Sequence, residues 1–175
     1  AAIWSKYIIE GDFCAEMYAG MRHGWYDRAG DLNLTVANSE TTPGSGYTVT
    51  CTGWDRDHSQ LFTRLFRNGK LMNVSDKFLV PRKRLLFHWN AKDVRKGWNP
   101  LVRKGRPLHG SWFYIKLRKI GNKLEYYFDN ELVFSINDPD PLETGSFGVW
   151  TFMNSMVVAR VKVAAANITH RTFDF

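Results

Sequence analysis

The strongest constraint on this chain is an alternation of apolar and polar residues that returns in one segment after another. Residues 31–37 alternate leucine and valine with polar neighbours, and residues 47–54 and 60–67 follow the same pattern. Successive side chains of a β-strand point to opposite faces of its sheet, so the pattern predicts strands with one buried face. No long segment has the 3.6-residue period of an amphipathic helix. The chain is therefore predicted to be all-β.

Turn residues separate the alternating segments at close intervals. Asn68-Gly69 suits a two-residue hairpin turn, and Gly121-Asn122 and Asp129-Asn130 mark two more turns. About ten or eleven short strands at such spacing indicate a two-sheet antiparallel β-sandwich or jelly roll. The predicted strands are 7–18, 31–37, 47–54, 60–67, 70–75, 112–119, 123–128, 131–136, 145–153 and 156–164, with a short apolar piece at 85–89.

The length of 175 residues is typical of one domain. We expect a single β-sandwich domain over residues 1–165 and a C-terminal tail over residues 166–175, packed on the domain or extending from it. The apolar runs are too short for a membrane-spanning helix. The first residues do not have the charged and apolar regions of a secretion signal, and we expect an extracellular or periplasmic location.

Positive charge is concentrated in one segment. Residues 82–106 hold nine basic residues and one acidic residue, whereas the whole chain has a net charge of +7. A localised basic surface attracts anionic partners, which include nucleic acid, anionic polysaccharides and acidic proteins. Nucleic acid is the least favoured of these, because the charge is confined to one loop region.

The predicted polar faces are unusual in composition. A solvated face would be rich in Lys and Glu, but these faces combine aromatic, hydroxyl and amide groups. Such a mixture is typical of sugar-binding surfaces, where rings stack on pyranoses and short polar groups bind hydroxyls. The alternative is that loops cover these strands and the aromatics pack there. The residues are Glu16, Tyr18, Asp31, Asn33, Thr48, Thr50, Thr52, Trp54, Phe62, Arg64 and Phe66.

The C-terminal third carries four distinctive segments: the predicted hairpin over residues 112–124, the strand pair over 127–134, the Asp-Pro-Asp-Pro-Leu motif at 138–142 and the strand 145–150. Together they resemble the concanavalin A-like lectin/glucanase superfamily. Gly44-Ser45-Gly46-Tyr47 is similar to a turn of the same family. The resemblance implies a jelly-roll fold, and it leaves open carbohydrate binding, glycoside hydrolysis, polysaccharide lysis and adhesion.

The catalytic signatures of the superfamily are missing. Neither the Glu-x-Asp-x-x-Glu strand of its hydrolases nor the Gln-Ile-His strand of its lyases occurs. Glu16 and Asp31 are the candidate carboxylate pair for hydrolysis, and His88 is a candidate base for a lyase. Many members hold a structural calcium ion; Glu10 and Asp12 would serve here, but the last strand lacks the usual Asp. No cofactor or metal ion is therefore predicted.

The leading hypothesis is recognition of a polysaccharide, with an anionic one favoured, on the concave sheet. The candidate ligand-binding residues are those that could stack a ring on a sugar or pair a charge with an anionic group of the glycan. These are Tyr18, Trp54 and Arg64 on the sheet, with Arg56, His88, Trp89 and Trp98 at the rim. The alternatives are a hydrolase or lyase on the same fold and an interaction module of a larger protein. Cys14 and Cys51 fall on opposite strand parities, which disfavours a disulfide.

Overall fold

The alternating segments form the strands of an antiparallel β-sandwich. The computed structural model describes residues 1–21, 31–40, 42–54, 60–81, 112–152 and 155–171, without the side chains of 21, 52–54, 60–62 and 76–81. Within these ranges the strands are β1 (Ala2–Met21), β2 (Asn33–Asn38), β3 (Tyr47–Trp54), β4 (Gln60–Arg67), β5 (Lys70–Pro81), β6 (Phe113–Ile120), β7 (Lys123–Phe128), β8 (Glu131–Asn137), β9 (Thr144–Trp150) and β10 (Met156–His170).

Two sheets share the long strands β1 and β10. Sheet 1 has the order β5-β4-β3-β2-β9 and ends on residues 2–10 of β1. Sheet 2 begins with residues 13–19 of β1 and continues through β6, β7 and β8. Strand β10 pairs with β1 along both halves, from Tyr7↔His170 to Met21↔Met156. All of these strand pairs run antiparallel.

The change of sheet occurs at Gly11. This residue has φ +75°, and the register between β1 and β10 shifts between Glu10 and Phe13. A positive φ is easy for glycine and costly for other residues. A Cβ at Gly11 would also lie 3.0 Å from the Cβ of Ala166 on β10. Glycine therefore allows β1 to bend and carry the chain from one sheet to the other.

The core lies between the two sheets. Sheet 1 contributes Leu34, Val49 and Leu65, each at most 1% exposed. Sheet 2 contributes Ile115 and Leu117, each 0% exposed. Strand β6 alternates buried and half-buried residues from Phe113 to Lys119. This is the period-two pattern read from the sequence, and it confirms that Phe113, Ile115 and Leu117 face inward.

A buried tyrosine ties the loop before β9 to sheet 1. The Tyr47 hydroxyl donates to Asp138 Oδ2 at 2.5 Å and accepts from the Leu142 amide at 2.9 Å. Arg67 Nε lies 3.1 Å from the same Asp138 oxygen. Burial and the bond to Asp138 raise the pKa of Tyr47, so the hydroxyl remains a donor at all ordinary pH values. The Asp-Pro-Asp-Pro-Leu motif is therefore held against strands β3 and β4 of sheet 1.

The hairpin turns follow the sequence prediction. Asn68 and Gly69 both have positive φ, as do Asp129 and Asn130. Two consecutive positive φ values define the type I′ turn, whose twist matches that of the flanking strands. Asn-Gly and Asp-Asn occur at these turns because Gly, Asn and Asp adopt positive φ more readily than other residues.

The last strand extends beyond its predicted end at residue 164. Strand β10 continues to His170, and Ile9↔Ile168 and Tyr7↔His170 are paired positions. Residues 166–170 belong to the strand because β1 extends far enough to pair with them. The rest of the expected tail, residues 172–175, and the apolar piece 85–89 lie outside the described residues. Among the described residues, no helix has the length and hydropathy to cross a membrane.

Gly46 gives a test of the packing between β2 and β3. It has φ +78°, and a Cβ there would lie 2.6 Å from the Val36 carbonyl oxygen. We expect Gly46→Ala to lower the free energy of unfolding by about 2–5 kcal/mol, from backbone strain and overpacking together. Gly121 has φ +53° but open space around it, so Gly121→Ala should cost only about 1–2 kcal/mol. Urea denaturation measures both, and equal losses would contradict the packing argument.

Candidate functional site

Four residues on the outward side of sheet 1 form a row across four strands. Trp150 on β9 pairs with Asn33 on β2, and Thr50 on β3 pairs with Arg64 on β4. Leu34 pairs with Val49, so the antiparallel register places Asn33 opposite Thr50. We call Trp150, Asn33, Thr50 and Arg64 the polar row. It brings an indole, a carboxamide, a hydroxyl and a guanidinium next to one another.

The centre of the polar row has unmet hydrogen-bonding capacity. Asn33 is 0% exposed, and both its Oδ1 and its Nδ2 have no partner within the described part of the chain. The neighbouring Thr50 Oγ1 is also buried and has no hydrogen-bond partner within the described part of the chain, although Thr50 keeps part of its surface exposed. A buried polar group without a partner costs about 1–3 kcal/mol of stability. Nearly all buried polar groups in folded proteins are paired, so this cluster is a site of interest.

The row next to it is satisfied internally. Thr35 and Thr48, at most 4% exposed, share a hydrogen bond of 2.9 Å between their hydroxyls. Trp150 Nε1 donates to Thr35 Oγ1 at 3.0 Å, which fixes the indole over the sheet. A Cβ at Gly148 would lie 2.1 Å from the Trp4 ring, so that ring lies directly on the glycine. Two tryptophans therefore flank this side of sheet 1.

The predicted ligand-binding residues are divided between the sheets. Arg64 lies in the polar row. Trp54 ends β3 beyond a register shift, and its side chain lies outside the described residues. Tyr18 projects from β1 on the outward side of sheet 2, so it is separated from Arg64 by the core. The remaining candidates fall in undescribed segments: Arg56, His88, Trp89 and Trp98. The basic segment 82–106 lies there as well.

The candidate carboxylate pair is also divided. Glu16 is on β1 opposite Lys116, on the outward side of sheet 2. Asp31 is 7% exposed and precedes β2, a strand of sheet 1. Glycoside hydrolysis requires two carboxylates on either side of one glycosidic bond. The two residues belong to different sheets because the bend at Gly11 places the second half of β1 in the layer opposite β2.

Sheet 2 presents a different surface, on which tyrosines are interleaved with charges. We call this outward side the tyrosine face; it carries Tyr18, Tyr114, Tyr127, Glu16, Glu125, Lys116, Arg118, Lys123, Arg160 and Lys162. Tyr114 donates to Glu16 Oε2 at 2.5 Å and Tyr127 donates to Glu125 Oε2 at 2.9 Å. Burial, followed by the bond to Glu16, raises the pKa of Tyr114. Lys123 and Arg118 hold the pKa of Glu125 at about 2.

The carboxylates considered for calcium have protein partners. Asp12 Oδ1 accepts from the Gly121 amide at 2.7 Å and lies 3.8 Å from Lys119 Nζ. Glu10 Oε2 accepts from Asn167 Nδ2 at 2.8 Å. Within the described ranges, no three His, Cys, Asp or Glu side chains cluster in a way that would hold a metal ion.

Both cysteines are free thiols. Cys14 is half-buried on the outward side of β1, and Cys51 is buried in the core, as the strand parities predict. Burial raises the pKa of Cys51 to about 12 and also raises that of Cys14. Thiols in this state are poor nucleophiles.

An apolar cleft of about 550 Å³ opens beside the first half of β1. Its walls include Ile3, Tyr7, Phe147, Val161 and Ile168. Sugar sites need several convergent polar groups to bind hydroxyls. Among the described residues, only Trp4, Ser5 and Tyr7 bring polar groups to the lining of the cleft, so it is a poorer candidate than the polar row.

Three residues of the polar row, Trp150, Asn33 and Thr50, are absent from the ligand-binding residues predicted from the sequence. Asn33 and Thr50 belong to the predicted polar faces, but nothing in the sequence indicates that their side chains lack hydrogen-bond partners. Trp150 has a usable signal, because it alternates with the buried Phe147 and Val149 and shares the parity of Gly148. That parity predicts an outward-facing indole.

Comparison with known proteins shows the fold. No protein-family model matches the sequence, and no curated protein matches it either. Among solved structures, the carbohydrate-binding module CBM66 from Bacillus subtilis matches with a TM-score of 0.55 at 16% identity, over 94% of this chain and 92% of that one. A variant of human galectin-16 matches with a TM-score of 0.54 at 11% identity, over 95% of each chain. Sheep galectin-11 in complex with glycerol matches with a TM-score of 0.50 at 10% identity, over 94% of this chain and 96% of that one. The chain therefore has the concanavalin A-like jelly-roll fold that the resemblance predicts.

The ion pairs of Glu125 predict a specific pH dependence. Its pKa of about 2 in the folded protein lies below its ordinary value of 4.5. Ionised Glu125 thus stabilises the fold above pH 4.5, and this contribution is lost as the pH falls through 2. We expect Glu125→Gln to be less stable than the unmodified protein at pH 6, with the difference shrinking between pH 4.5 and 2. Urea unfolding at a series of pH values measures this, and two parallel stability curves would contradict it.

Proposed function

We propose that this protein binds a polysaccharide or oligosaccharide through the polar row of sheet 1. The observation that carries the proposal is the buried carboxamide of Asn33, which has one acceptor and two donor hydrogens without partners in the described structure. A sugar hydroxyl both donates and accepts, so adjacent hydroxyls on one ring match an amide of this kind. Because Asn33 is 0% exposed, its amide must become accessible before a ligand can supply the hydrogen bonds that the folded chain leaves unmade.

The neighbours of Asn33 fit the same ligand. Trp150 is half-buried and its indole is held by the bond to Thr35, so it offers a fixed aromatic surface to the apolar side of a pyranose. Thr50 adds a hydroxyl group, and Arg64 adds guanidinium donors. Side chains that are positioned before binding lose little entropy when the ligand arrives, which favours affinity.

The fold is compatible with this role but does not by itself assign it. A carbohydrate-binding module and galectins share the architecture at 10–16% identity. We further propose that the chain acts outside the cell or in the periplasm, as a module of a larger protein. The choice between an anionic and a neutral glycan rests on the experiment below.

The direct test is incubation of the purified protein with a panel of neutral and anionic polysaccharides. Retardation in a native affinity gel reports binding, and new reducing ends or unsaturated ends report hydrolysis or lysis in the same tubes. We expect retardation by one glycan class without new ends. New ends would show an enzyme instead, and the absence of retardation by every glycan would overturn the proposal.

A single substitution separates binding from folding. Leucine has a shape similar to that of asparagine and brings no unpaired polar atoms, so Asn33→Leu should keep or raise the melting temperature. We expect it to weaken binding to the selected glycan by about tenfold or more, since two ligand hydrogen bonds are lost. Isothermal titration and thermal unfolding measure the two effects.

Thr35→Val is the matched control. It removes a hydroxyl that is already bonded to Thr48 and Trp150. It should therefore lower stability by about 1–3 kcal/mol. A stability loss in Asn33→Leu as large as that in Thr35→Val would show that the Asn33 amide is satisfied within the fold, and would contradict the proposal.

A further inference from the structure

The tyrosine face of sheet 2 carries an excess of positive charge. Its cations are Lys116, Arg118, Lys123, Arg160 and Lys162, and its anions are Glu16 and Glu125. We propose that this face is a second binding surface, for a linear polysaccharide that bears sulfate or carboxylate groups. It lies on the sheet opposite the polar row and does not depend on the function proposed there.

The acidic side chains of the tyrosine face are more deeply buried than the lysines that pair with them. The Glu125 side chain is only 6% exposed and that of Glu16 is 26% exposed. Lys123, the ion-pair partner of Glu125, is 59% exposed. Lys162, the ion-pair partner of Glu16, is 75% exposed. The carboxylates therefore lie beneath the cations, and a partner in solution meets positive charge first. Such a surface attracts polyanions, and the attraction weakens as salt screens it.

Two cations are positioned by aromatic rings. Lys116 Nζ lies 4.2 Å from the centroid of the Tyr127 ring and 6.0 Å from that of Tyr114. The Arg160 guanidinium lies 5.9 Å from the centroid of Tyr18. Neither cation forms an ion pair with a carboxylate within the described part of the chain. A cation–π contact orients a charge without neutralising it. Lys116 and Arg160 thus remain available to an anionic ligand.

The register arranges these groups along a line. Lys162, Glu16, Lys116 and Tyr127 are successive partners across β10, β1, β6 and β7. Neighbouring strands lie about 4.8 Å apart, so Lys162 and Lys116 are separated by roughly 10 Å. Charges spread along a flat surface suit an extended chain with repeated anionic groups better than one compact anion.

Other polyanions fit the face less well. Single-stranded nucleic acid binds by stacking its bases on open aromatic rings. Here Lys116 lies over Tyr127 and Arg160 lies over Tyr18, so those rings are already in contact with cations. Protein interfaces are depleted of charge at their centres, whereas Lys116 lies in the middle of this face.

The experiment compares dextran sulfate with dextran, which share a backbone and differ in sulfate. We expect the full chain to bind dextran sulfate, with an affinity that falls as salt rises, and to bind dextran much more weakly. The double variant Lys116→Gln/Arg160→Gln should lose at least about tenfold in affinity, because two charge-assisted contacts are removed. Replacement by Lys116→Arg should retain binding.

Lys6→Gln/Lys70→Gln is the matched control, since it removes the same charge from two exposed lysines outside the face. Its affinity for dextran sulfate should stay within about twofold. Equal losses in both double variants, or no loss in either, would overturn the proposal, as would tighter binding of an oligothymidylate or of polyglutamate. Asn33→Leu should leave dextran sulfate binding unchanged, so failure of the polar row and failure of the tyrosine face are distinguishable.

Discussion

The pairing of β1 with β10 is the constraint on which the rest of the molecule depends. Strand β1 joins β9 with its first half and β6 with its second half, and β10 follows it through the bend. The two sheets are therefore connected through a continuous hydrogen-bonded ladder. Because the bend requires φ +75° at Gly11, one residue without a side chain determines where the sandwich folds over.

This bend also gives the protein two outward surfaces with different chemistry. The polar row on sheet 1 has buried, neutral groups with unmade hydrogen bonds, whereas the tyrosine face on sheet 2 has its polar groups largely paired. The unpaired amide of Asn33 in the polar row lowers the stability of the folded protein. Such departures from internal consistency concentrate at functional sites. The contrast is the reason for proposing recognition of sugar hydroxyls on one face and recognition of anionic groups on the other.

The strands and turns were largely predictable from sequence, and the site only in part. Alternation identified strands such as β3 and β6, and Asn68-Gly69 identified its turn, because these patterns reflect geometry within a few residues. The same alternation placed Tyr18 and Arg64 on polar faces. It did not reveal that those faces belong to opposite sheets, since that depends on β1 changing its partner from β9 to β6.

Local pattern alone thus determines the all-β class, the inward side of strands such as β3 and β6, and the turn types. These follow from side-chain alternation and from backbone conformations available to particular residues. The grouping of Asn33 with Trp150 and Thr50 and the separation of Glu16 from Asp31 depend on strand order and register. Those are set by contacts between residues far apart in the chain, such as Asn33 and Trp150, which are 117 positions apart. No local pattern encodes them, because register is set by the packing of the whole core.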